Sequence, residues 1–205
     1  MKRPLLPLLL LLLSTGAAAA DTPSRADLQR ALAQHERSVV KVRGARDSGP
    51  GIIVGTEGQV LTSVRHVGLD SAQVEYDGRT LPSKVVLAHD ALKVAVVAAP
   101  AGTYPAVPVQ VAPGAPVGQW LIGVVPGRGR RKDTAQDTPK AAQARAAPEP
   151  FFDVDLALPA GSPLFDTKGR LVAVVVERQG PGCRALPLEI VRQQLAQPVA
   201  TQAGP

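Results

Sequence analysis

The sequence predicts an all-β fold of short antiparallel strands, opened by one short helix and closed by another. Short Val-rich runs, several with a period of two, follow one another from residue 38 to residue 186. Turn-forming pairs such as Asp77-Gly78 fall between them, and Pro 20 and Gly 19 punctuate the chain. Helical periodicity is confined to the two ends.

Residues 1–20 read as a processing segment. Lys2 and Arg3 give a charged start, residues 5–13 are apolar, with Pro7 among them, and Ala17-Ala18-Ala19-Ala20 is a small-residue exit. This is the pattern of a secretory signal peptide cleaved before Asp21. The apolar stretch is shorter than the roughly 20 residues a spanning helix needs, and no cysteine stands at its exit for lipid attachment. No later stretch is apolar enough to span a bilayer. The mature chain is therefore expected to be exported, periplasmic or secreted, without a membrane span. Loss of Lys2 and Arg3 lowers the formal net charge from +6 to +4.

A helical lead-in is expected over 21–37. Ser24, followed three residues on by Asp27, forms a capping box, and Leu28, Ala31 and Leu32 share one face. From Ser38 the period changes: Val40 and Val42 alternate with Lys41 and Arg43. Apolar runs at 52–54, 60–61, 74–76, 85–87, 94–97, 107–111, 121–125, 151–158, 171–176 and 185–186 continue the series. Glu57-Gly58, Asp77-Gly78 and Lys168-Gly169 mark turns. About ten strands at this spacing make a barrel or a sandwich. Leu188, Val191 and Leu195 give a closing helix one apolar face, and 197–205 read as a frayed tail. Residues 127–150 carry Arg128, Arg130, Arg131, Lys132, Lys140 and Arg145 with little apolar content beyond Ala, and read as a long solvated basic loop.

Composition excludes several functions. Aromatics at 3% leave no stacking platform for single-stranded nucleic acid, so no nucleic-acid partner is expected. A single cysteine, Cys183, cannot close an internal disulfide. His35, His66, His89 and Cys183 have no paired ligand spacing, so no metal is expected. Gly127-Arg128-Gly129 lacks the third glycine of a dinucleotide loop, and no cofactor is expected.

Several segments, in one order, carry a resemblance. They begin with Gly49-Pro50-Gly51-Ile52-Ile53 and Gly58-Gln59-Val60-Leu61-Thr62. The Asp77-Gly78 hairpin and Lys93-Val94-Ala95-Val96-Val97 follow, then Val117-Gly118-Gln119-Trp120-Leu121-Ile122-Gly123. Gly161-Ser162-Pro163-Leu164-Phe165-Asp166, Gly169-Arg170-Leu171-Val172 and Ala185-Leu186-Pro187 complete the set. Together they resemble the trypsin-like serine peptidases, in particular the protease domain of the HtrA/Deg branch. The resemblance implies a trypsin-like double β-barrel over 38–196. The peptide-binding PDZ domain that HtrA members usually carry is expected to be absent, because the chain stops soon after the closing helix.

The residues that the resemblance would make catalytic are replaced. Arg65 stands at the histidine position, Lys93 at the aspartate position and Ala160 at the serine position, with Leu158-Pro159 where the family has Gly-Asn. Arginine stays protonated and is no general base at neutral pH. Lysine reverses the charge that would stabilise an imidazolium. Alanine has no nucleophile, and Pro159 no amide hydrogen for an oxyanion hole. His66, Asp90 and Ser162 occur in the right chain order and offer a shifted triad as the alternative reading. That reading needs separate displacements of one, three and two residues to converge on bonds of about 3 Å. The expectation is thus a peptidase homologue without proteolytic activity, acting as a peptide- or protein-binding or regulatory module. Arg65 and Lys93 together would repel unless an anion lay between them, so an acidic peptide or a carboxylate terminus is the expected ligand.

Overall fold

The computed structural model describes residues 22–127 and 136–196. It contains two six-stranded antiparallel barrels, each closed, with one helix before the first and one after the second. The expected signal peptide, the basic stretch at 128–135 and the tail at 197–205 lie outside the described residues. No helix among those described is long and apolar enough to cross a membrane.

Helix α1 (Arg25–Ser38) begins at the expected capping box. Ser24 accepts from the Asp27 amide, and the Asp27 carboxylate accepts from the Ser24 amide. Ala31 is fully buried on the inner face of the helix, and Leu28 packs against the same cluster.

The first barrel runs in the order β1-β2-β3-β6-β5-β4, from β1 (Val39–Arg43), β2 (Ser48–Ile53), β3 (Gln59–Ser63), β4 (Ser71–Tyr76), β5 (Arg79–His89) and β6 (Val94–Ala98). The β4–β5 hairpin turns at Asp77 and Gly78, whose φ values of 49° and 70° meet the demand of a two-residue turn for left-handed backbone at both positions. The second barrel runs β10-β11-β12-β9-β8-β7, from β7 (Trp120–Val125), β8 (Thr138–Ala146), β9 (Phe152–Val154), β10 (Pro163–Phe165), β11 (Leu171–Gln179) and β12 (Gly182–Pro187). Helix α2 (Leu188–Ala196) then folds back with Leu188 and Val191 buried.

Each barrel has its own apolar filling, Val42, Ile53, Val60, Val74 and Val97 in the first and Leu121, Phe152, Leu158, Leu164 and Val175 in the second. A third cluster joins them. Ile52, Leu61, Val94 and Val96 of the first barrel meet Ile122, Phe165, Val174 and Leu186 of the second. Burial of that many large side chains, at roughly 1.5–3 kcal/mol each, makes the barrels one packed body.

Four expectations need correction. The run at 107–111 forms no strand, and its only bridge is Val109 to Leu171. Pro105, Pro108 and Pro113 in and beside it cannot donate to a ladder, so the segment serves as the inter-barrel connection. The run at 151–158 is strand only over β9, after which Leu156 and Leu158 plug the second barrel from a non-strand segment. The segment at 127–150 is not one long loop, since β8 occupies part of it and pairs with β7 and β9. Ala144 on its inner face is 2% exposed, Gln143 and Arg145 at the alternate positions are exposed, and so is Lys140 towards the start of the strand. Finally, Leu195 is exposed instead of completing the apolar face of α2.

Candidate functional site

The boundary between the barrels carries a 3-10 turn, η1 (Val64–His66), which begins where β3 leaves its sheet. The Val64 amide donates to the Lys93 carbonyl at 3.2 Å, and the Ser63 hydroxyl donates to the same oxygen at 3.4 Å. Lys93 closes the turn into β6 with φ at 57°, a left-handed conformation costing a lysine roughly 1 kcal/mol. From the second barrel, Gly161 reaches the same place with φ at 84°. A Cβ on Gly161 would fall 2.1 Å from the Pro50 carbonyl oxygen, 3.1 Å from Thr62 Oγ1 and 3.2 Å from His66 Cε1. The positions of Arg65, Lys93 and Ala160 therefore come together around one turn.

Their side chains form an electrostatic arrangement. Arg65 is 67% exposed, with Nε 3.9 Å from an Asp47 carboxylate oxygen. Lys93 Nζ donates to Glu177 Oε2 at 2.5 Å, joining the first barrel to β11 of the second. The Lys93 hydrogen bond holds the Glu177 carboxyl below its usual range, and the positive charges of Lys93, Arg184 and Arg65 act in the same direction. Glu177 also faces Arg184 across the β11–β12 ladder. Sequence reasoning missed Glu177 and Asp47. Glu177 lies 84 residues from Lys93, and no local pattern links the two.

His66 faces the opposite way from Arg65 and is 5% exposed. Its Nδ1 lies 3.1 Å from Thr62 Oγ1, whose hydroxyl donates to the Pro50 carbonyl at 2.8 Å. The ring fills the space above Gly49, where a Cβ would meet Cε1 at 2.2 Å. Burial pushes the imidazole below its ordinary range; Asp47 opposes this shift and Arg65 adds to it. Asp90 is exposed in the turn before β6, where its carbonyl accepts from the Lys93 amide. Ser162 is 5% exposed, its amide donating to the Pro159 carbonyl and its carbonyl accepting from Val175. Among the described residues no hydrogen bond joins His66 to Asp90 or to Ser162.

The amides of Leu158, Gly161 and Ser162, on either side of Ala160, are bonded within the protein. An oxyanion hole needs amide hydrogens aimed into the cleft. Here the Leu158 amide donates to Leu156 at 2.8 Å, the Gly161 amide to Val175 at 2.7 Å and the Ser162 amide to Pro159 at 3.2 Å. Pro159 has no amide hydrogen. Leu156 and Leu158, both buried, fix this segment inside the barrel. Cys183 is buried too, its thiol pushed up to about 12 chiefly by burial, which leaves almost no thiolate at neutral pH. Among the described residues no cluster of His, Cys, Asp and Glu could hold a metal.

Residues 49–174, more than half of the chain, match the family model of the trypsin-like peptidase domain. No curated protein matches the sequence. Among solved structures, the Rv3671c protease of M. tuberculosis in an inactive form is 23% identical, with TM-score 0.64 over 86% of this chain and 97% of that one. An inactive serine-to-alanine mutant of the same protease is also 23% identical, with TM-score 0.65 over 91% of this chain and 98% of that one. A serine endoprotease from Yersinia pestis is 18% identical, with TM-score 0.67 over 85% of this chain and 68% of that one. At these identities the likeness to solved structures is one of fold. The family match and the paired closed barrels agree, and the chain belongs to the trypsin-like peptidase domain family.

Proposed function

We propose that this protein is an exported, proteolytically inactive member of its family that binds an extended peptide in the inter-barrel cleft. The observation that carries the proposal is the combination of Arg65, Lys93 and Ala160 at the converging positions with flanking amides already donated to the protein's own carbonyls. Acyl transfer needs a nucleophile and a base, and at these positions Ala160 supplies no nucleophile and Arg65 no base, while the Leu158 amide is spent on the Leu156 carbonyl. Export rests on the composition of residues 1–20.

Peptide binding needs none of these groups, because strand addition uses main-chain hydrogen bonds and side-chain pockets. Strand β11 offers such an edge. It pairs with β10 up to Val174, and Val175 bonds the 161–162 backbone. From Glu177 to Gln179 the ladder partners among the described residues are all on β12. Arg65 and Lys93 lie beside this edge and favour a ligand with a carboxylate, either an acidic side chain or a free C-terminus.

The test is incubation of the mature chain with fluorescent casein, beside a Ser162→Ala variant, together with anisotropy titrations of labelled acidic and amidated peptides. No casein turnover and saturable binding of the acidic peptide are the expected outcome. Turnover that disappears in Ser162→Ala would replace this reading with a shifted triad.

A further inference from the structure

The Lys93–Glu177 pair joins the barrels at the place where β11, past its β10 partner, is paired on its β12 side alone among the described residues. Both partners are well exposed, 42% and 38%, so solvent reaches the pair and either side chain can swing away without moving backbone. The barrels themselves cannot open there, because the shared apolar cluster of Ile52, Leu61, Phe165 and Val174 holds them together. Whatever occupies or vacates the groove mouth must therefore do so by side-chain exchange.

The charges facing one another are known from every side. Arg65 and Lys93 come from the first barrel with Asp47, and Glu177 and Arg184 come from the second. Arg184 is already engaged, bonded to Asp153 through Nε at 3.0 Å and Nη2 at 3.3 Å. Arg65 holds Asp47 only loosely, at 3.9 Å. Glu177 is thus the carboxylate hydrogen-bonded to Lys93, as Asp153 is the one bonded to Arg184.

We infer that Glu177 acts as an internal stand-in for the ligand's carboxylate, a side-chain gate that an incoming acidic peptide displaces from Lys93. This rests on the peptide-binding reading above and adds its regulation. The exchange replaces one carboxylate–ammonium contact by another, so charge balances at Lys93 while Glu177 is released to solvent. Ligands without a carboxylate have nothing to offer Lys93 and leave the gate shut. A gate of this strength sets a threshold and does not block, since exposed ion pairs are individually weak.

The experiment compares the mature wild-type chain with Glu177→Gln, Lys93→Gln and Glu75→Gln, using two fluorescein-labelled pentapeptides. One, Ala-Val-Ala-Val-Asp, has a free C-terminus; the other ends in Asn-amide. Glu75→Gln removes the same charge from a different ion pair, the one with Arg43, and controls for net charge. Glu177→Gln is expected to bind the acidic peptide about three- to fivefold more tightly than wild type, with Glu75→Gln unchanged. Lys93→Gln is expected to bind it more weakly than wild type, and the amidated peptide to discriminate among none of the proteins. Equal binding of the acidic peptide to wild type and Glu177→Gln overturns the gate and leaves the cleft reading standing. A uniform gain in Glu177→Gln and Glu75→Gln overturns the gate in favour of net charge. Binding of neither peptide to any of the proteins overturns the cleft reading and the gate with it.

Discussion

Two layers of the same cleft differ in kind. Beneath lies a seam of Gly49, Thr62, His66 and Gly161, packed so closely that an added methyl at either glycine would overlap its neighbours. Above lies a rim of Arg65, Lys93, Glu177 and Asp47, solvated and joined by ion pairs. The seam sets how closely the barrels meet, and the rim sets the charge presented at their boundary. Close packing and surface charge are thus held by different residues of the same boundary.

The largest effect that would separate the layers is on stability. Gly161→Val places a Cβ against the Pro50 oxygen at a φ that branched residues avoid, and is expected to cost about 3 kcal/mol or more in urea denaturation. Leu158→Ala, which opens a void beneath the Ala160 turn, is expected to cost about 2–4 kcal/mol by the same measurement. A seam that tolerated both would not be the part that fixes the cleft.

Acid provides the next test. The folded pKa of His66 is lowered, so the unfolded chain takes up a proton first as pH falls through its ordinary value of about 6.5. Stability contributed by neutral His66 is complete above that pH and declines below it. His35, also held down chiefly by burial, contributes with the same sign. The thermal midpoint is expected to fall between about pH 7 and pH 5, with a shallower fall in His66→Gln. An unchanged slope in that variant would place the acid sensitivity outside the seam. The smallest effect belongs to the rim, where Glu177→Gln is expected to shift the thermal midpoint by no more than about 4 °C while altering peptide affinity.

Much of this was legible in the sequence, for reasons that are local. The Ser24–Asp27 capping box, the Asp77-Gly78 turn and the Val94–Ala98 strand each carry their signal within a few residues. Strand β8 did not, because its inner face is alanine, a residue with little strand preference and too little side chain to read as core. The connection at 107–111 carries valines in a strand pattern that the neighbouring prolines annul. Arg65, Lys93 and Ala160 could be located through the resemblance, but their surroundings could not. Glu177 reaches Lys93 only after both barrels have closed, and the amide bonds of Leu158 and Gly161 depend on the buried course of that segment.

The most direct test is reaction of the purified mature protein with a fluorophosphonate, read by intact mass, with Ser162→Ala alongside. An unmodified mass in a protein whose circular dichroism reports folded β structure is the expected result. A single phosphonyl adduct on wild type that is missing from Ser162→Ala would contradict it, and would make this cleft a working active site.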